Sequence, residues 1–158
     1  MAKISVQEAD FDPGAEIASL GAGAGRPGAG GIGAGGIACF IGIVRGEAGG
    51  REITAMTLEH YPGMTERAVR AIAEEAEKRW SLAAVTIVHR VGRLAPGENI
   101  VLVLAAASHR DPALSATRFL IDWLKTEAPF WKKEHFADGA EDWVEAQEAD
   151  TEATASWR

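Results

Sequence analysis

The chain has 158 residues, of which 47% are hydrophobic and 25% charged, a composition typical of one globular domain and unlike that of a disordered chain or a coiled-coil rod. Its net charge of −7, from 16 basic and 23 acidic side chains, disfavours nucleic acid as the main ligand, because a polyphosphate binds a cationic surface. The longest uninterrupted apolar run, 100–107, has eight residues, whereas a membrane-spanning helix needs roughly 20. With no secretory leader evident at the N-terminus, we expect a cytoplasmic protein.

The N-terminal segment predicts a strand, a short helix and a loop. A strand at 3–6 is followed by Asp12-Pro13, a pair that caps and begins a helix. Between Gly21 and Gly36, thirteen of sixteen residues are glycine or alanine, which predicts a flexible loop. Two stretches of this loop satisfy G-x-G-x-x-G, but a helix precedes them and a strand follows, the reverse of the order that a dinucleotide site requires. We therefore reject a nucleotide-binding function for the loop.

The next segment predicts two strands and a helix. Residues 37–44 are apolar, and Cys39 within them is expected in the core; as a lone cysteine it excludes an intrachain disulfide. Residues 53–60 alternate in polarity, and Gly49-Gly50 supplies a turn, so we predict that the two strands form an antiparallel hairpin. A helix over 65–80 is expected to bury Ala68, Ile72 and Ala76.

The C-terminal half predicts two more strands, at 85–91 and 99–107, the second apolar enough to be central in a sheet. Asp111-Pro112 then begins a helix that ends by Ala128, with Leu114, Phe119, Leu120, Trp123 and Leu124 inward. Residues 130–134 are expected to be extended or turning, and a short strand is expected around Trp143. The polar tail from 145, including 148–158, is expected to fray. The layout is an α+β fold with a mixed or antiparallel sheet and about three helices.

Several basic side chains stand where ligands commonly bind. His109 and Arg110 end the central strand just before a capped helix, and Arg45 ends the strand at 37–44. Lys125 lies in the last turn of the helix, and Lys132 and Lys133 follow two aromatic residues, a combination that suits a flat heterocycle carrying an anion. A structural explanation also exists, since arginines pair with surface carboxylates and a lysine in a last turn favours the helix dipole. Spacing does not show whether these cations converge.

Five blocks of sequence resemble one known family, the large catalytic subunits of molybdopterin synthase. They are LEHYPGMTE (58–66), VHRVG (88–92) followed by Pro96-Gly97, Ser108-His109-Arg110, DWLKT (122–126) and APFWKKE (128–134). With KISVQ at the start and Trp143-Val144-Glu145-Ala146 near the end, the resemblance covers nearly the whole chain. It implies a single domain over 1–158, an α/β hammerhead-type fold and a central homodimer. One small ubiquitin-like sulfur-carrier subunit, which ends in a Gly-Gly thiocarboxylate, would bind at each outer end.

The resemblance also implies a reaction and its residues. The reaction is a sulfur transfer that converts cyclic pyranopterin monophosphate to molybdopterin, and because the carrier brings the sulfur, neither a metal nor an organic cofactor is expected. The essential lysine falls on Lys125 and a second functional lysine on Lys132. The substrate contacts fall on Ile43, Val44, Arg45, His109, Arg110, Lys125, Lys132, Lys133 and Glu134. We expect the closely placed charges to lower the pKa of one lysine, which could then transfer a proton or else stay cationic and stabilise an oxyanion.

Two features differ from the family pattern and one alternative function stays open. The glycine-rich stretch is longer and more repetitive than we expect, and Gln147 stands where the family often has an arginine that contributes to the anion site across the dimer. The alternative is a noncatalytic module that binds a ubiquitin-like partner. That module would not require the two lysines, whose presence therefore favours the enzyme.

Overall fold

The computed structural model describes residues 2–24 and 33–158, and within them it contains nine strands and four helices. In chain order these are β1 (Lys3–Gln7), α1 (Pro13–Ala24), β2 (Gly36–Ile43), β3 (Glu47–Ala48), β4 (Arg51–His60), α2 (Met64–Trp80), β5 (Ala84–Arg90), β6 (Gly92–Leu94), β7 (Asn99–Ala107), α3 (Arg110–Thr126), β8 (Phe130–Phe136), β9 (Glu141–Trp143) and α4 (Glu148–Ala155). The predicted α+β class is confirmed, although α4, β3 and β6 were not predicted and β8 covers residues that were expected only to be extended or turning.

The first sheet has the strand order β1-β5-β7-β2, with β1 parallel to β5 and the other neighbours antiparallel. β7 is central, as its apolar sequence predicts, and Leu102 to Ala107 are fully buried. One face packs against α2 and α3 through a cluster that includes Val69, Ile87 and Leu120. The other face packs against α1 through Leu20, Val88 and Leu102. The sheet is therefore covered on both faces, and most of the hydrophobic core lies there.

The second sheet has the order β3-β4-β8-β9, and β6 pairs with the same β4. The predicted hairpin between 37–44 and 53–60 is wrong. β2 pairs with β7 in the first sheet, while Gly49 and Gly50, at φ 57° and 78°, make the turn between β3 and β4. Positive φ at two successive positions suits glycine, so the turn was identified correctly but assigned to the wrong strand pair.

The two long helices follow the predicted apolar periodicity. In α2 the buried residues include Val69, Ile72, Ala73 and Ala76, which share one helical face. α3 buries Phe119, Leu120 and Leu124 as expected. Two predictions of burial are wrong, however. Leu114 is 60% exposed near the beginning of α3, and Cys39 is exposed on β2, which lies at the edge of its sheet.

The predicted loop over Gly21–Gly36 is only partly testable. α1 extends to Ala24 and β2 begins at Gly36, so both ends of the stretch belong to regular elements, while residues 25–32 lie outside the described residues. At Gly35 a Cβ atom would come within 2.1 Å of the Ser108 carbonyl oxygen. That close approach requires glycine at this position.

The C-terminal tail does not fray, contrary to expectation. α4 docks on α3, where the Thr154 hydroxyl donates to the Asp122 carbonyl at 2.9 Å. Past the helix, the Trp157 indole N–H donates to the Asp122 carboxylate at 2.7 Å, and its ring packs edge-on against Trp80 and Phe119. The aromatic contact provides the apolar burial that the polar sequence of the tail did not indicate. Among the helices described, none is long and apolar enough to cross a membrane.

Replacing Trp157 with alanine should lower the free energy of unfolding by roughly 2 kcal/mol. The change removes a half-buried indole and its hydrogen bond to Asp122, and full burial of such a side chain is worth about 3–5 kcal/mol. Urea denaturation followed by circular dichroism measures the difference. Trp143→Ala is the matched control, because Trp143 is 52% exposed, and it should cost less than about 1 kcal/mol. Equal midpoints for the two variants would mean that the tail is not anchored as described.

Candidate active site

A cavity of about 440 Å³ lies between the two sheets, at the end of α3 that carries Lys125. Its walls come from the end of β2, the last turn of α3, one face of β8 and the segment that leads into α4. The charged or polar residues that line it are Arg45, His89, Lys125, Thr126, Lys132, Glu134, Glu145, Gln147 and Asp150, and the apolar ones include Phe40, Ile43, Met56, Ile121 and Phe130. A partly apolar cleft with convergent polar groups is the usual form of a small-molecule site.

Three predicted cations meet in this cavity, namely Arg45, Lys125 and Lys132. Lys125 lies in the last turn of α3, and the burial of Leu120 and Leu124 fixes the orientation of that helix against the first sheet. Lys132 is held by β8, where it stands opposite Leu58 of β4 in the ladder. The three side chains thus come from separate elements, and tertiary packing brings them together.

The cavity also holds three carboxylates, Glu134, Glu145 and Asp150. Only Glu134 was expected from the sequence, because the other two lie in the tail that was predicted to fray. The cations and carboxylates of one chain are therefore equal in number, and the cavity is less positive than the sequence indicated. Asp150 reaches the cavity because α4 docks on α3.

The pKa of Lys132 is lowered in the cavity. Burial lowers its pKa from the ordinary value of 10.5, the positive charges of Lys125 and Arg45 lower it further, and the carboxylates of Asp150 and Glu134 oppose the change. Desolvation disfavours the charged form of a lysine, and a nearby like charge does the same. The expectation that crowded charges lower the pKa of one lysine is thus supported, with Lys132 as the residue.

The two faces of β8 carry different residues. Phe130, Lys132 and Glu134 face the cavity, whereas Lys133 lies 3.6 Å from the Glu141 carboxylate and 4.6 Å from the centre of the Trp143 ring. Successive side chains of a strand point to opposite faces, so Lys132 and Lys133 cannot both reach the cavity of one chain. Trp131 belongs to the outer face too and is 48% exposed.

Two other predicted substrate contacts, Ile43 and Val44, lie at the end of β2, and only one of them lines the cavity. Ile43 lines the cavity, but the Val44 side chain does not, because it is buried in an apolar cluster with Leu58 and Leu94. The Val44 backbone is also occupied, because its N–H donates to the Glu98 carbonyl and its carbonyl accepts from the Gly97 N–H, both at 2.9 Å. Val44 therefore has a structural role in this chain.

His109 and Arg110 do not reach this cavity within one chain. His109 occupies the N-cap position of α3, without a capping hydrogen bond from its side chain, and Lys125 lies near the other end of the helix. Sixteen residues of α-helix span about 24 Å, so α3 separates the two groups. Both residues are exposed. They are available to a neighbouring molecule but not to the Lys125 end of their own chain.

Sequence reasoning missed one buried polar residue, His89. It lies on β5, is only 2% exposed and forms part of the cavity wall. Its ring stacks on Phe130, with centroids 3.8 Å apart and planes 14° from parallel. The block at 88–92 that contains it was noted only as a resemblance, and a polar residue within a buried strand was the available signal for a site.

The chain is similar to known proteins over nearly its whole length. Residues 6–127 match the family described as MoaE protein. A molybdopterin synthase catalytic subunit of Mesorhizobium japonicum is 49% identical over 156 residues, which are 98% of this chain and 92% of that protein. The structure of a molybdopterin biosynthesis MoaE protein from Burkholderia ambifaria has a TM-score of 0.80 and 49% identity, and covers 99% of this chain and 98% of the other.

A more distant structure shares the fold. It is the complex of subunits 1 and 2 of molybdopterin-converting factor from Helicobacter pylori, with a TM-score of 0.67 and 21% identity. The matched chain covers 93% of this protein and 90% of its own length. The architecture is therefore retained where most of the sequence has changed.

The pKa of Lys132 should respond to its neighbours with opposite signs. Lys125→Met removes a positive charge and should raise the pKa of Lys132, whereas Asp150→Asn removes a negative charge and should lower it further. NMR titration of the lysine side chains measures both shifts. Asp138→Asn is the matched control, because Asp138 pairs with Arg51 outside the cavity, and it should leave Lys132 unchanged. Shifts of the same sign in both cavity variants would contradict this electrostatic description.

Proposed function

Because this chain belongs to the MoaE protein family, we propose that it is the catalytic subunit of a molybdopterin synthase. It converts cyclic pyranopterin monophosphate to molybdopterin, with both sulfurs supplied by a small carrier protein. The observation that carries the proposal is the convergence of Arg45, Lys125 and Lys132 on one cavity. A binding module without chemistry does not require two lysines from separate elements at one point.

The cavity suits a phosphorylated heterocycle. Phe130 and Ile121 offer apolar contact for a flat ring, and the three cations offer donors for an anion. The carrier's C-terminal thiocarboxylate is also an anion, and the same positive groups attract it. These cations thus suit the partner that the resemblance implies, a small ubiquitin-like sulfur carrier. A cytoplasmic location stays a prediction.

Lys125 and Lys132 take different roles. Lys132 has the lowered pKa, which brings it closer to neutral pH and suits a group that gives and takes a proton during sulfur addition. Lys125 provides a positive charge at the end of α3 for the oxyanion that develops as the carrier's thiocarboxylate reacts. Both roles depend on the exclusion of bulk water from a partly buried cavity.

A second copy of the chain completes the site with His109 and Arg110. One chain balances its three cations with three carboxylates, so a phosphate group gains little net attraction from it alone. Arg110 is exposed at the far end of α3 and adds an uncompensated positive charge when it comes from a neighbour. A two-fold dimer makes the exchange reciprocal, and each cavity then receives the partner's pair.

Alanine substitution of either cavity lysine should abolish product formation. We expect a loss of at least about 100-fold for Lys125→Ala and for Lys132→Ala, the range for removal of a proton-transfer or charge-stabilising group. Lys133→Ala is the matched control on the other face of β8 and should stay within about threefold of the wild type. The assay mixes the protein with thiocarboxylated carrier and the cyclic pterin, and measures dithiolene product.

Carrier affinity, measured in parallel, separates chemistry from docking. Lys125→Ala should still bind the carrier, within about threefold of the wild type, because Arg45 and Lys132 remain to attract its thiocarboxylate. If Lys125→Ala and Lys132→Ala still form product at the normal rate, the chain is a binding module and the proposed enzyme is wrong.

Mixed dimers test whether the site is shared. A Lys132→Ala chain and a His109→Ala chain should each be inactive alone. After random exchange, half of the dimers are mixed, and each holds one site with intact Lys132 and intact His109. Activity should therefore recover to about a quarter of the wild-type value. With all groups supplied by one chain, no recovery would occur, and the shared site would be refuted.

A further inference from the structure

His89 is a buried polar side chain to which the proposed reaction assigns no role. On β5 it alternates with Val88, whose side chain packs on the α1 side of the sheet, and it lies on the same face as Ile87, which packs against α2 and α3. That face borders the cavity, and His89 is part of its wall. With 2% of its surface exposed, only a small part of the ring borders the cavity.

The hydrogen bond of His89 identifies its tautomer. Nδ1 lies 2.8 Å from the carbonyl oxygen of Arg90. A carbonyl only accepts hydrogen bonds, so Nδ1 must carry the proton and Nε2 has the free lone pair. Among the hydrogen bonds of residues 2–24 and 33–158, none involves this Nε2. Among the described residues Nε2 is also not one of the fully buried side-chain atoms without a partner, so its lone pair is accessible from the cavity that His89 lines.

The ring is also fixed in place and uncharged. Stacking on Phe130 at 3.8 Å and the bond to the Arg90 carbonyl restrain its plane. Burial, assisted by the positive charge of Lys132, lowers the pKa of His89 to about 3, so it stays neutral at any working pH. Such a group accepts a hydrogen bond without placing a negative charge beside a phosphate.

Two other neutral acceptors line the cavity, Thr126 and Gln147. The Thr126 hydroxyl is already bonded to the Asp122 carbonyl and to Thr154, and Gln147 is exposed just before α4, so neither is a rigid, buried acceptor with a free lone pair.

The charged side chains do not offer this combination either. Arg45, Lys125 and Lys132 only donate when charged, and Glu134 and Asp150 accept but carry a negative charge. A pterin ring presents N–H donors along its edge, and its phosphate lies at the opposite end of the molecule. A rigid neutral acceptor on the cavity wall matches the ring edge, while the cations match the phosphate.

We propose that His89 is a substrate-binding residue whose Nε2 accepts a hydrogen bond from a ring N–H of the pterin. This inference rests on the proposed function, because it needs the pterin as substrate. It adds to that function a contact that selects the heterocycle, in addition to the contacts that hold its phosphate.

Two amide variants distinguish the role of Nε2 of His89 from the role of its Nδ1. In His89→Asn the side-chain amide replaces Nδ1 and keeps the bond to the Arg90 carbonyl, but the acceptor at the Nε2 position is lost. In His89→Gln the longer side chain places an amide oxygen near that position. We expect His89→Asn to raise the Kd for cyclic pyranopterin monophosphate about tenfold, which corresponds to about 1.4 kcal/mol. His89→Gln should stay within about threefold of the wild type.

Titration calorimetry without carrier measures these Kd values, and thermal melts confirm that each variant is folded. His135→Asn is the matched control, since His135 bonds to Thr57 and Glu141 on the outer face of β8, and its Kd should not change. An equal Kd in wild type and His89→Asn would overturn the proposal, as would an equal loss in both amide variants. A fall in kcat with an unchanged Kd would also overturn it, because His89 would then act through Lys132.

A measurement on the unchanged protein covers the case in which a variant does not fold. In ¹⁵N-histidine NMR spectra, the Nε2 signal of His89 should move upfield when the pterin is added, as a lone pair that accepts a hydrogen bond does, and an unmoved signal would refute the contact. Wild-type protein that neither binds nor converts the pterin would refute the proposed function itself. Wild-type protein that converts it while the Nε2 signal stays unmoved would refute only the role of His89.

Discussion

The positive charges of Lys125 and Lys132 repel each other in one cavity, and the fold must hold them there against that repulsion. The lowering of the pKa of Lys132 comes first from burial and then from the charges of the neighbouring cations, since both disfavour its charged form. Asp150 and Glu134 offset part of it. The arrangement is stable because each lysine belongs to an element that is anchored elsewhere, α3 by its buried leucines and β8 by its pairing with β4.

Much of the fold follows from local sequence patterns, and the main exception, the pairing of the strands, is long-range. The periodicity of α2 and α3 and the apolar run of β7 identified elements that require only their own residues. The pairing of β2 with β7 could not be read in the same way, because strand partners are chosen by the packing of the whole sheet. The Gly49-Gly50 turn was recognised, but the two residues of β3 before it were too few to appear as a strand.

The candidate site shows the same division. Arg45, Lys125 and Lys132 were identified from the sequence together with its family resemblance, and the structure brings them together. The positions of Lys133 and Asp150 could not be predicted in the same way. The alternation of β8 sends Lys133 to the outer face, an outcome that became predictable only once residues 130–134 were known to pair as a strand. Asp150 lines the cavity only because α4 is docked on α3. The polar sequence of α4 does not indicate that docking, because the apolar anchor is Trp157, just beyond the helix.

α3 connects these features. Its N-terminus presents His109 and Arg110, and its last turn presents Lys125. Asp122, one turn earlier than Thr126, accepts hydrogen bonds from both Thr154 and Trp157 and so fixes the segment that forms a cavity wall. Any displacement of α3 along its axis would therefore move Lys125, the wall that carries Asp150 and the exposed His109 and Arg110 together. Because one helix links them, the shared site that we propose ties the position of Lys125 in one cavity to the position of Arg110 at the other end of the same helix.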